Sequence, residues 1–266
     1  MESCAPSFAA VAEIDSVSMR FGGITALSSV SFRIPEGRIV GLIGPNGAGK
    51  TTLFNCISRL YEPSSGDIRV MGSSILERSA HEMTRLGVAR TFQNLALYPS
   101  MDVTENVLVG LHGVLPSSRL SRTLGLPSAA RADAEARKKV ADILAVTGLS
   151  SFATRRVSEL TYATQKRVEI ARALVCAPKL LMLDEPAGGL NQEEVAALAQ
   201  FIRTLRDSRG LSVLLVEHHL NLVMTVSDQV VALNFGQKIA DGTPQQVQAD
   251  PKVQTAYLGE PDALAA

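Results

Sequence analysis

Residues 44–51 read Gly-Pro-Asn-Gly-Ala-Gly-Lys-Thr, a full match to the pattern G-x-x-x-x-G-K-[ST], and they follow directly on the apolar run at residues 39–43. Few segments constrain a chain so tightly. The glycines let the backbone wrap around a phosphate with successive N–H groups turned inward, and the helix that follows adds the positive end of its dipole. In such a loop Gly44, Pro45, Asn46, Gly47, Ala48 and Gly49 form the cradle and Lys50 reaches the β- and γ-phosphates. Thr51 ligates Mg²⁺, and Thr52 is placed for the α-phosphate. The order apolar strand, glycine loop, apolar helix (Leu53, Phe54, Ile57) belongs to an α/β fold.

Nucleotide chemistry at such a loop needs acids at the end of a second buried strand. Four apolar residues, 180–183, run into Asp184 and Glu185. Asp184 is positioned to hold Mg²⁺, largely through water, and Glu185 to polarise an attacking water as general base. Residues 213–216 and 230–233 read as further strands. Residues 192–206 carry Val195, Leu198, Ile202 and Leu205 on one helical face between two of them. Strands alternating with amphipathic helices argue for a mostly parallel sheet covered by helices. Before the glycine loop, the patterns at residues 14–19 and 27–34 predict two short strands.

The middle of the chain reads differently. From about residue 94 to 160 it is helical, with no convincing strand. Within it residues 116–128 are rich in Ser, Pro and Arg and read as a mobile loop, and residues 131–139 as a mixed-charge, solvated helix face. The expected organisation is a tail at 1–12, a nucleotide-binding core at 13–93 and 166–266, and a helical subdomain at 94–165. Balanced charge (26 Lys plus Arg against 26 Asp plus Glu) argues against a broad basic face, so no nucleic-acid partner is expected. No apolar run approaches the roughly 18 to 20 residues that span a bilayer. The three cysteines, Cys4, Cys56 and Cys176, are far apart and read as reduced thiols in a cytoplasmic protein.

Taken together these segments resemble the ATP-binding subunits of ABC transporters, over nearly the whole chain. Residues 160–174 (LTYATQKRVEIARAL) are similar to the family's signature segment and the helix it starts, and residues 186–191 to its D-loop. Phe21 sits where the family stacks an aromatic ring on adenine. Gln93 resembles the glutamine that senses Mg²⁺, and His218 the switch histidine that contacts the γ-phosphate. The fold implied is a P-loop NTPase (RecA-like) ABC ATPase core with a small antiparallel β subdomain and an inserted helical subdomain. The activity implied is hydrolysis of ATP to ADP and phosphate, with ATP and Mg²⁺ bound and Glu185, His218 and Lys50 as the catalytic residues. Within the family, residues 21–23, 90–94, 102–107 and 233–259 are similar to importers of branched-chain and other hydrophobic amino acids, and the RTFQN form to the longer of their two ATPase subunits. Importers of urea, amides or aromatic acids share these features. An exporter ATPase and a nucleotide-gated regulatory module stay open as alternatives.

The resemblance implies a head-to-tail dimer with a second ABC ATPase subunit, in these importers a different chain. It further implies transmembrane permease subunits, an indirect link to a periplasmic or surface substrate-binding protein, and a peripheral place on the cytoplasmic face of the membrane. Residues near Gln93 and the apolar segment 103–111 are the candidate socket for the permease. The signature departs from the usual L-S-G-G-Q: Thr161 keeps a hydroxyl for the partner's γ-phosphate, but Ala163 stands where glycine is usual. Either its methyl crowds that phosphate or its backbone resists a positive φ, slowing the partner's ATP site, or the swap is tolerated. Asn191 replaces a common aspartate. His219 follows His218, and spacing favours His218 as the histidine that faces the nucleotide.

Overall fold

The computed structural model describes residues 9–92, 95–112 and 127–258. Two sheets organise them. The first is antiparallel, in the order β2-β1-β4-β5: β1 (Ala10–Phe21), β2 (Ile24–Pro35), β4 (Ser65–Val70) and β5 (Ser73–Ser74). The second has the order β10-β9-β3-β8-β7-β6, with β3 (Ile39–Ile43), β6 (Val88–Arg90), β7 (Leu180–Asp184), β8 (Ser212–Val216), β9 (Gln229–Asn234) and β10 (Gln237–Gly242). Its pairs are parallel except β9 with β10.

Strands β3, β7 and β8 are buried at every residue, as unbroken apolar runs require when helices or a second sheet cover both faces. Alternation then divides the core in two. Val40, Leu42, Leu180, Met182 and Leu214 pack with β1, β2 and helix α1 (Lys50–Ile57), whereas Ile39, Ile43, Leu181, Leu183 and Leu215 face the other way. That second layer includes α2 (Val103–Val109), α3 (Pro127–Val146), α4 (Tyr162–Leu174), α5 (Gln192–Arg209) and α6 (Leu220–Val226). Two short helices, α7 (Pro244–Ala249) and α8 (Pro251–Leu258), follow β10.

Several expectations change. The two N-terminal strands are not short: each has 12 residues, paired from Ala10↔Pro35 to Phe21↔Ile24, and β1 starts inside the expected tail. Residues 22 and 23 make the turn, with Gly22 at φ 57. Strand β6 adds to the expected sheet; its three residues are too few to show periodicity. Between residues 95 and 160 the described residues contain no strand, only a bridge between Asp102 and Arg156. The expected boundary at 165/166 falls inside α4. Helix α5 runs three residues further than expected and stops at Gly210, whose φ of 59 suits a C-terminal cap. Side chains at residues 131–139 are largely solvated, with Lys139 3.0 Å from Glu135, as a mixed-charge face should be. Most of the 116–128 loop lies outside the described residues, and helix α3 begins at Pro127.

Asp228 fastens the parallel sheet to its helices. Its carboxylate accepts the Ile39 N–H at 2.8 Å and guanidinium N–H groups of Arg206 on α5 at 2.8 Å and Arg38 at 3.3 Å. Replacing Asp228 by Ala removes the acceptor that these three groups share and leaves the Ile39 N–H unpaired. Urea unfolding should show a loss of about 1–3 kcal/mol; an unchanged midpoint would remove Asp228 from the fold's stabilising contacts.

Candidate functional site

The glycine loop sits between the end of β3 and α1. Gly44, Gly47 and Gly49 have φ of 151, 80 and 101. At Gly44 a Cβ would lie 2.3 Å from the Leu233 carbonyl oxygen, so only glycine fits that position. Asn46 and Gly47 are exposed and Ala48 is buried, which leaves the middle of the loop open to a ligand. Lys50, only 7% exposed, donates from Nζ to the carbonyl oxygens of Gly44 at 2.6 Å and Pro45 at 3.0 Å. Burial pulls its pKa below the ordinary lysine value, and the negative charge of Glu185 partly restores it. Thr51 and Thr52 lie in the first turn of α1, where backbone N–H groups have no helical acceptor.

Asp184 ends β7 almost fully buried. Burial raises its pKa, and the Arg90 guanidinium, 3.4 Å away, opposes that rise. Arg90 also donates to Asn55 Oδ1 at 3.0 Å and Ser58 Oγ at 2.7 Å, and it stacks over Phe54. The unforeseen β6 sets this arrangement by pairing Arg90 with Met182 of β7. Glu185 has φ 45, in the left-handed region, and donates its N–H to Val216 at 2.9 Å. Strain of this kind, about 1–3 kcal/mol, persists where the surroundings hold it and gathers at functional sites. The His218 Nδ1 lies 3.8 Å from the Glu185 carboxylate, and its ring packs on His219 with centroids 4.5 Å apart. The loop, the β7 acids and His218 therefore form one cluster.

Glu217, between β8 and α6, is a further functional residue, absent from the sequence candidates. Its carboxylate is fully buried and accepts three backbone N–H groups: Ala187 at 2.7 Å, His218 at 3.2 Å and His219 at 3.4 Å. It joins the segment after Glu185 to the segment carrying His218. The available signal was an acid at the end of the apolar run 213–216.

The remaining candidates stand apart. Phe21, 42% exposed at the end of β1, meets Tyr61 edge to face at 5.3 Å. Gln93 lies outside the described residues. Thr161 is the N-cap of α4, with its hydroxyl 2.9 Å from that of Thr164, and no hydrogen bond joins Thr161 or Ala163 to the glycine loop. The expectation that Ala163 would resist a positive φ is corrected. It lies in the first turn of α4 with a negative φ, so alanine suits the backbone better than glycine. Asn191 caps α5 through a capping box with Glu194. Tyr162 packs on the D-loop: a Cβ on Gly189 would meet its ring at 3.0 Å. Segment 103–111 is no free apolar face, because Val103, Val107 and Leu111 are buried and only its end, at Val109 and Gly110, lines a cleft.

Comparison with known proteins adds to this geometry. A family model described as ABC transporter matches residues 27–188, and one described as branched-chain amino acid ATP-binding cassette transporter matches residues 237–263. The chain is 43% identical over 250 residues to the high-affinity branched-chain amino acid transport ATP-binding protein BraF of Pseudomonas aeruginosa, covering 94% of this chain and 98% of that one. It is 43% identical over 247 residues to LivG of Escherichia coli, which carries the same description, covering 93% and 97%. A nucleotide-free ATP-binding cassette from an ABC transporter superposes with a TM-score of 0.83 at 30% identity, covering 95% of this chain and 100% of that one.

Two stability measurements test the local readings. Glu217→Ala leaves the buried Ala187 N–H and the part-buried His218 and His219 N–H groups without an acceptor and should cost about 1–3 kcal/mol in chemical unfolding; a loss below about 0.5 kcal/mol would contradict the buried network. Ala163→Gly should lower stability by about 0.5–1 kcal/mol; a gain would show that alanine is strained there.

Proposed function

The chain belongs to the ABC transporter ATP-binding family and is an ATPase of that family, and on that premise we propose that it powers an importer of branched-chain or closely related amino acids. The observation that carries the cargo reading is the C-terminal match at residues 237–263, together with 43% identity to BraF and LivG along nearly the whole chain. An ATPase subunit does not touch cargo, so this part of the reading rests on likeness and not on the chemistry of the site.

The site's geometry supports a simple division of labour. Backbone N–H groups of residues 46–51 bind the β- and γ-phosphates, and Lys50 exchanges the Gly44 and Pro45 carbonyls for phosphate oxygens. Glu185 accepts the proton of the attacking water, and His218 beside it orients the γ-phosphate. Phe21 and Tyr61 offer an aromatic edge for adenine. The oxygen donors Thr51 and Asp184 suit Mg²⁺, which takes hard oxygen ligands; Gln93 is the third proposed ligand. When bound, Mg²⁺ neutralises charge on the phosphates. Arg90, 3.4 Å from Asp184, supplies the positive charge that favours its carboxylate form against the effect of burial.

Partnership follows from the same layout. Thr161 and Ala163 at the exposed start of α4 face a second cassette's ATP, so ATP favours a closed head-to-tail pair and hydrolysis removes that preference. Among the described residues no helix is long and apolar enough to cross a membrane, and we assign the membrane passage to separate permease subunits. Their docking surface is the cleft of about 570 Å³ lined by Leu60, Met83, Phe92, Tyr98, Val109 and Arg172.

Glu185→Gln should retain ATP binding and lower kcat by at least about 100-fold, trapping an ATP-bound pair visible by size-exclusion chromatography. Free turnover by this variant would remove Glu185 as the base. Pull-down of the tagged chain from membranes should recover permease subunits and a second cassette; reconstituted transport of leucine or a chemically unrelated solute then decides the cargo.

A further inference from the structure

Helix α8 ends beside the glycine loop. The Tyr257 hydroxyl, half-buried, accepts the Gly44 N–H at 2.7 Å. Burial raises the Tyr257 pKa, so the phenol stays neutral. The carbonyl of the same Gly44 accepts Lys50 Nζ at 2.6 Å. Both polar ends of one residue are thus engaged, one by the C-terminal helix and the other by the lysine that must meet the phosphates. Gly44 has no slack of its own, because the Leu233 carbonyl occupies the space where a Cβ would stand.

A second brace holds the far end of the loop: the Gly236 N–H, in the turn between β9 and β10, donates to the Ala48 carbonyl at 3.0 Å. Between these two fixed points, Pro45, Asn46 and Gly47 border an open cleft of about 690 Å³ that Phe235, Lys252 and Thr255 also line. The loop is pinned at its ends and held inside by the Pro45 carbonyl, which accepts the Ala48 N–H at 3.2 Å and Lys50 Nζ at 3.0 Å, while Asn46 and Gly47 stay exposed, so its backbone is ordered before a phosphate arrives.

We propose that Tyr257 is a positioning residue for nucleotide binding, which acts through the Gly44 N–H to fix the glycine loop and the resting place of Lys50. The inference rests on the reading that ATP binds at this loop. Removing the hydroxyl leaves the buried Gly44 N–H without an acceptor, and the loop then leaves its binding geometry to find water.

Tyr257→Phe in the full chain keeps the ring and its packing. Titration with a fluorescent N-methylanthraniloyl derivative of ATP should show Kd raised about 3- to 10-fold, the range that one net hydrogen bond supports. The ATPase KM should rise in parallel while kcat stays within about twofold. The melting temperature without nucleotide should stay within about 2 °C, and amide exchange should quicken across residues 44–50 but not in β7 or β8. An unchanged Kd would overturn the proposal. A fall in melting temperature with faster exchange throughout the sheet would also overturn it, by making Tyr257 a packing residue. Wild-type protein that does not bind the nucleotide would instead refute the ATP reading, and the brace with it.

Discussion

A lysine ammonium held at 7% exposure, with the Gly44 and Pro45 carbonyls as its hydrogen-bond acceptors, is the constraint around which the molecule is arranged. Two neutral carbonyls replace bulk water poorly, and the depressed pKa of Lys50 records that cost. A triphosphate supplies what is missing: formal negative charge and oxygen acceptors at the open centre of the loop. The fold keeps the charge waiting there. Three glycines give the loop its path, β3 anchors its start, and α1 presents its unpaired N–H groups at the other end.

The acids are managed by similar means but with the opposite sign. Asp184 is buried and has Arg90 as its counter-ion; Glu217 is buried and has three backbone N–H groups instead. Glu185 lies between them in a left-handed backbone conformation, with His218 alongside. Because Glu217 grips both Ala187 and the start of the His218 segment, the two chain segments flanking the general base are tied at a single carboxylate. A displacement at the D-loop would therefore reach His218 through one group, which gives a physical route from a partner cassette to the chemistry.

How much of this was legible in the sequence depended on range. The glycine loop, the Asp184–Glu185 pair and the strands at 39–43, 180–184 and 213–216 are local patterns, each contained in fewer than a dozen residues, and they can be read directly; the last gains Ser212 in the structure. What escaped reading depends on register across the sheet. Arg90 reaches Asp184 only because β6 lies beside β7, and Glu217 reaches Ala187 only because its strand and the D-loop end at the same level. The positive φ expected at Ala163 is absent for another reason: a glycine-rich signature suggests a turn, whereas this position lies in a helical first turn. Tyr257 falls within the stretch 233–259 that resembles the importers, and nothing in a local pattern tells that a residue 213 positions away meets Gly44.

Lys50 is kept as a buried charge for the nucleotide and not for the fold. Lys50→Met preserves most of the side-chain volume and removes the charge, so affinity and stability can be read on one variant. Calorimetric titration with ATP and Mg²⁺, with thermal unfolding of the nucleotide-free protein, should show affinity lowered at least about 100-fold and a melting temperature equal to or above wild type. Affinity within about threefold of wild type, or a melting temperature that falls along with it, would contradict the account.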